Sequence, residues 1–300
     1  MKRGFITLAV GRESYYELAY NLLRSYRATN SSDFPWAIVC DRENDWTAEF
    51  DDVILLENAT CSYMDKLKLF GMTPYEQTIF IDADCLIYHN IDCLWERMEQ
   101  VEGVAGFGKA LPIESRDGWF LIHDIGPWKE LVSFIPQMHG GICFIQKGAR
   151  LDLILDYAEQ IEAHYTEYKF KYFEKPADEP ILALAMAAAG SKPVENLPGD
   201  FVFLPTVDKL LVNEIIRNRR AVYQTNDGGL QEVRIVHFQN HNTCKSPYKV
   251  SRDILINDVG FVITFRRISY NLQDFTKPWI SRVKRLLRKI TVYGCVGGNP

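Results

Sequence analysis

Two carboxylates, Asp82 and Asp84, lie inside an otherwise apolar stretch, Thr78-Ile79-Phe80-Ile81-Asp82-Ala83-Asp84-Cys85-Leu86-Ile87. Taking an unpaired carboxylate out of water is costly, or forces it to take up a proton. Something should therefore compensate both charges. A divalent cation does so, and carboxylate oxygens suit Mn²⁺ or Mg²⁺. Such a cation would bridge the oxygens of a diphosphate and stabilise it as a leaving group. The plainer alternative is that one aspartate caps a turn or helix and the other points to solvent. The spacing by itself leaves both open.

The elements around the pair must put it where a ligand could reach. Gly4 to Val10 is a short apolar run that ends at Gly11, the pattern of a buried strand. Tyr15 to Tyr26 carries Leu18, Ala19, Leu22, Leu23 and Tyr26 at helical spacing. Trp36 to Cys40, Val53 to Leu56 and Gln77 to Ile81 read as further strands, with a helix over Tyr63 to Phe70 before the last. This βαβ rhythm implies an α/β fold, a Rossmann-like and mostly parallel sheet flanked by helices. Ligands of such sheets bind beyond the carboxyl ends of the strands. Asp41 and Asp82 both fall just past a strand's carboxyl end. Further on, the spacing predicts a strand at Ile142 to Ile145 after Gly140-Gly141, helices over Leu151 to Lys171 and Pro180 to Ala189, and a late strand at Val233 to Phe238. No internal repeat or obvious linker divides the chain. One domain over residues 1–260 with a tail over 261–300 is the economical reading.

The run KLKLFGMTPYEQTIFIDADCLIYHNID, from Lys66 to Asp92, resembles the corresponding region of glycogenin and its relatives, glycosyltransferase family 8. The shared features are a Lys-Leu pair, a helix, a strand, Asp-Ala-Asp and then Asn-Ile-Asp. Thr7-Leu8-Ala9 followed by a tyrosine also resembles the nucleotide-binding start of that family. The resemblance implies a GT-A fold, a UDP-sugar donor, Mn²⁺ and transfer of a hexose with retention of configuration. Leu8, Ala9 and Tyr15, with Tyr16 as the alternative, would then meet the base and ribose. Asp82, Ala83 and Lys66 would meet the diphosphate or donor sugar. His237, in Val236-His237-Phe238, would be the third metal ligand beside Asp82 and Asp84, with His241 as its rival.

The same resemblance assigns the sugar-facing residues, and here the chain departs from the pattern. His139-Gly140-Gly141 resembles an Asn-Ala/Ser-Gly segment, with His139 in place of Asn; small residues there let backbone approach the sugar. Asp178-Glu179 resembles an Asp-Gln pair, Asp178 positioning sugar hydroxyls and Glu179 standing where Gln lies beneath the anomeric carbon. A carboxylate there could stabilise oxocarbenium charge or act as a nucleophile. Asp178-Glu179-Pro180 is equally a good helix start, and both readings can hold together. Lys245 is the counterpart of a phosphate-binding lysine, at a different spacing.

From Lys277 to Pro300 the chain has Lys and Arg but no Asp or Glu. Trp279, Ile280, Val283, Leu286, Leu287 and Ile290 share one helical face. Residues 277–300 therefore suit a helix lying on an anionic membrane surface, or one docked on its own domain. In the membrane case the acceptor would be a glycolipid or lipid-linked sugar; a saccharide or protein acceptor fits otherwise. The net charge of −5 argues against a nucleic-acid partner. The seven cysteines include no CxxC pair, and no signal-peptide pattern or run of roughly 20 apolar residues is present, which leads to the expectation of a cytoplasmic protein.

Overall fold

Strand β1 (Arg3–Ala9) takes up the first apolar run and pairs in parallel with β2 (Trp36–Cys40). On its far side β2 pairs in parallel with β3 (Asp52–Leu55), and β1 pairs in parallel with β4 (Gln77–Ile81). Helices α1 (Glu13–Thr29) and α2 (Asp65–Met72) connect them. The computed structural model describes residues 1–195, 202–204, 210–214, 220–225 and 228–257. Every residue of β2 and β4 is buried, as expected for parallel strands covered on both faces. The stripe Leu18, Ala19, Leu22, Leu23 and Tyr26 of α1 is buried as its spacing predicts. Each such large apolar side chain contributes about 1.5–3 kcal/mol when fully buried.

After β5 (Cys85–Ile87) and the single turn α3 (Leu94–Arg97) come β6 (Val104–Leu111) and β7 (Ile135–Gln146). They complete a six-stranded sheet in the order β3-β2-β1-β4-β7-β6. β7 runs antiparallel to both its neighbours, β4 and β6, so one strand opposes the direction of the others. The α/β class and mostly parallel sheet expected from the sequence are present. Helices α4 (Ala149–Ala163) and α5 (Asp178–Ala189) pack on each other, and α5 packs on β7.

A small second sheet, β5-β12-β8, joins β5 to β12 (Ile235–His237) and β8 (Phe203–Leu204). β9 (Leu210–Glu214), β10 (Arg220–Gln224) and β11 (Leu230–Val233) form an antiparallel sheet, and α6 (Ser246–Asn257) ends the described chain against α1.

Several boundaries differ from the sequence reading. β7 begins at Ile135, so Gly140 and Gly141 lie within a strand rather than in a turn before one. The long helix stops at Ala163, not Lys171; a short 3₁₀ turn at Tyr165–Glu167 follows. The late strand over Val233 to Phe238 is broken between β11 and β12, each serving a different sheet. No helix among the described residues is long and apolar enough to cross a membrane. The basic tail, residues 277–300, and the whole segment 261–300 lie outside the described residues.

Candidate functional site

The acidic triplet is the joint between the large sheet and the small one. At the carboxyl end of β4 the Asp82 N–H donates to Gly141 O of β7 at 2.9 Å, which extends the ladder by one residue. The Cys85 N–H turns back to Asp82 O at 3.0 Å, and β5 starts there. Cys85 lies opposite His237 in the β5–β12 register, and the Phe238 N–H donates to Asp84 O at 3.0 Å. The backbone therefore brings His237 to the triplet. His237 Nε2 stands 3.0 Å from Asp84 Oδ1 and 3.8 Å from Asp82 Oδ2.

Lys66 reaches the same place from α2. Asp65 begins that helix, accepting from the Thr60 N–H at 3.0 Å and the Thr60 hydroxyl at 2.9 Å. Lys66 Nζ lies 3.1 Å from Asp82 Oδ2 and 2.7 Å from Asp178 Oδ2, and 5.3 Å from the centre of the Phe80 ring. It also lies 3.4 Å from Gly140 O. The first turn of α5 supplies Asp178 and Glu179 together. The Gly140 N–H donates to Glu179 Oε1 at 2.6 Å. A Cβ on Gly140 would sit 3.0 Å from Glu179 Cγ, and one on Gly141 would sit 2.9 Å from Phe203 Cζ and 3.1 Å from His237 Nδ1. Glycine at both positions lets β7, α5 and β12 meet.

The electrostatics follow from few charges in little water. Burial raises the Asp82 pKa, and Lys66 only partly opposes it. Burial pushes Asp84 the same way, but the hydrogen bond and charge of His237 outweigh it, and Asp84 stays below the usual range. The Lys66 ammonium is destabilised by burial, yet Asp178 and Asp82 hold its pKa well above the ordinary value. Burial lowers His237, and Asp84 more than offsets this, so its pKa is raised. Burial raises Glu179, against the Gly140 N–H. His139 is exposed at the rim; desolvation by neighbouring protein, then the charge of His237, lowers its pKa.

The ligand atoms of Asp84, Cys85 and His237 all lie within 4.8 Å of one another. Cys85 is a poor member of that group. Its thiol is raised well above its ordinary pKa by burial, then by Asp84 and Asp82, so it stays protonated. A thiol also suits soft rather than hard cations. Its proximity follows from its place opposite His237 in the strand register. Asp82 lies outside that group, its Oδ2 paired with Lys66 and 3.8 Å from His237, yet with Asp84 and His237 it offers two carboxylates and an imidazole, donor types that fit Mn²⁺ or Mg²⁺.

Of the residues singled out in the sequence, Lys66, Asp82, Ala83, Asp84, Gly140, Gly141, Asp178, Glu179 and His237 come together, with His139 beside them. Leu8 and Ala9 end β1 on the same edge of the sheet, Leu8 half-buried and Ala9 buried. Tyr15 is half-buried on the first turn of α1. Tyr16 has no exposed surface, and its hydroxyl donates to Asp41, so a base cannot stack on it. Lys245 is exposed in the turn before α6, and no hydrogen bond or ion pair links its side chain to the acidic group. His241, the rival to His237, is exposed in a 3₁₀ turn. The sequence reading missed Phe203, which stacks on His237 at 6.1 Å between ring centres and 22° between planes. No local pattern marks it. It also missed Phe80 beneath Lys66, although its place in β4, two residues before Asp82, was visible.

No protein-family model matches the chain, and no curated protein matches it significantly.

Proposed function

We propose that the protein is a retaining glycosyltransferase of GT-A type, moving a hexose from UDP-glucose or UDP-galactose to a saccharide, glycolipid or protein acceptor. The observation that carries this reading is the convergence of Asp82, Asp84, His237, Lys66, Asp178 and Glu179 beyond the carboxyl end of β4. That is the edge at which open α/β sheets hold ligands. The motif resemblance adds the donor class.

Asp82, Asp84 and His237 would hold Mn²⁺, which when bound would supply positive charge against a departing diphosphate. Lys66 brings a second, permanent positive charge to the same edge. Its pairing with Asp178 fixes that carboxylate where it can accept hydrogen bonds from sugar hydroxyls. Gly140 and Gly141, without side chains, let Glu179, Phe203 and His237 close in around this edge. Glu179, anchored by the Gly140 N–H, would lie beneath the anomeric carbon, where its carboxylate could stabilise oxocarbenium charge. His139 stands in the position of the family's Asn and would bear on sugar choice.

Calorimetry with a UDP-sugar panel and Mn²⁺, followed by release of UDP, tests the reading. Mn²⁺-dependent hydrolysis or transfer, lost in Asp84→Asn, is the expected result. Binding without turnover would instead favour a non-catalytic nucleotide-sugar-binding protein. Pyrophosphate release from a nucleoside triphosphate and a sugar phosphate would favour a nucleotidyltransferase. No Mn²⁺-dependent binding of any UDP-sugar would end the proposal.

A further inference from the structure

A cavity of about 450 Å³ adjoins the acidic site and shares His139 with it, while its outer part, around Trp119 and Tyr172, takes no part in the chemistry described above. Phe203 and His139 belong to its wall, and Phe203 is the ring stacked on His237. Its other features are aromatic and polar together: Trp119 and Tyr172 stand beside Asp117 and Gln137.

The two outer rings are held differently. Trp119 is half-buried, and its indole N–H donates to Met138 O at 3.2 Å, which fixes the ring. Tyr172 is 88% exposed, although exposing so large a ring gains the fold nothing. Its backbone has φ of +67°, a left-handed conformation that bulky residues rarely adopt. The segment is nonetheless tied down: the Lys171 N–H donates to Trp119 O at 2.8 Å and the Lys169 N–H to Asp124 O at 3.1 Å. The rings of Tyr172 and Trp119 meet edge to face at 6.4 Å and 88°. Two perpendicular aromatic faces thus form an open corner, with carboxylate and amide groups around it.

We infer that this cavity is a saccharide subsite, in which a pyranose lays its C–H face on the exposed ring of Tyr172, with Trp119 closing the corner, and its hydroxyls meet Asp117 and Gln137. The negative face of an aromatic ring attracts the weakly positive C–H edge of a sugar. A sugar is apolar on its faces and polar around its rim, which this lining complements; an acyl chain would offer no partner to the Asp117 carboxylate or to the Gln137 amide oxygen, whose amide N–H donates to Asp117 O at 3.2 Å. Because Phe203 is shared with the acidic site, a sugar bound here lies next to the donor. The role of acceptor subsite rests on the glycosyltransferase proposal; the binding of saccharide does not.

The test is saturation-transfer NMR and tryptophan fluorescence on the full chain, with methyl glucosides, methyl galactosides, lactose and maltotriose. At least one sugar should bind, Tyr172→Ala should weaken it about tenfold, and Tyr172→Phe should retain it. Tyr172 is exposed, so loss of fold does not cloud the result. No binding by any of the four, or equal binding by Tyr172→Ala and wild type, overturns the subsite. UDP-sugar binding with Mn²⁺, measured on the same variants, should be unchanged. Saccharide binding without UDP-sugar binding would remove the donor proposal and leave the subsite standing.

Discussion

Asp41 and Asp82 occupy equivalent places, just past the carboxyl ends of β2 and β4, the parallel strands on either side of β1, yet their charges are balanced in opposite ways. Asp41 is satisfied mainly by neutral donors. Its Oδ1 accepts from the Gly11 N–H at 2.9 Å and from the Tyr16 hydroxyl, and Arg42 lies 3.1 Å from Oδ2. Burial works against its charge, but these hydrogen bonds outweigh it and its pKa is lowered. Asp82 has no such set. It leans on the Lys66 ammonium and a more distant His237, and burial still leaves its pKa raised. A carboxylate closed off by hydrogen bonds of its own fold is a latch. One balanced by side-chain cations can exchange those partners for a ligand.

The hardest test of this contrast is Lys66→Met, which strips Asp82 and Asp178 of their shared cation. Breaking a buried pair in this way costs about 3–5 kcal/mol. Urea denaturation should show that loss, and added Mn²⁺ should recover part of it. Unchanged stability would mean that the triplet does not depend on Lys66.

Next is Asp84→Asn, which keeps shape and removes a ligand charge. Outer partners of metal ligands cost about 10–100-fold when removed, so a direct ligand should cost about 100-fold or more in Mn²⁺ affinity. Titration calorimetry measures this, and Asp41→Asn should leave Mn²⁺ affinity unaltered.

The pH dependence sharpens the same point. Asp82 and His237 have raised pKa values, so both bind protons at a higher pH than usual and protons compete with the metal there. Mn²⁺ binding should weaken as pH falls through the range of His237, which lies above the ordinary histidine value, by up to about tenfold per unit for the proton displaced there. Asp84, with its lowered pKa, stays charged through that window. Affinity independent of pH would contradict these directions.

The smallest effect belongs to the latch. Tyr16→Phe removes one donor from Asp41 and should cost about 1–2 kcal/mol at neutral pH. A lowered carboxylate pKa stabilises the fold above the unfolded pKa, and that contribution is lost as pH falls through the folded value. The difference between wild type and Tyr16→Phe in chemical denaturation should therefore shrink in acid. Mn²⁺ affinity should not change.

What the sequence determined by itself is the part of the sheet made of β1 to β4, four of its six strands. There β1, β2 and β4 each carry a buried apolar run because both their faces are covered, while β3, at the sheet edge, is only partly buried. The carboxylates of Asp82 and Asp84 were legible for the same reason, as charges in a segment with no room for them. β6 and the first half of β7 were hidden because they carry Gly106, Gly108, Lys109, Pro136 and Gly140-Gly141, which read as turns when taken alone. Their strand character comes from pairing with each other and with β4. Motif resemblance could nominate Lys66, His237, Asp178 and Glu179, but not their connections. That Lys66 bridges Asp82 to Asp178, that Gly140 anchors Glu179, and that Phe203 joins the acidic site to an aromatic corner at Trp119 and Tyr172 were decided only by tertiary structure. The reason is physical: a buried charge takes whichever partner the packing of distant elements brings within about 3 Å, and nothing local to the chain encodes that distance.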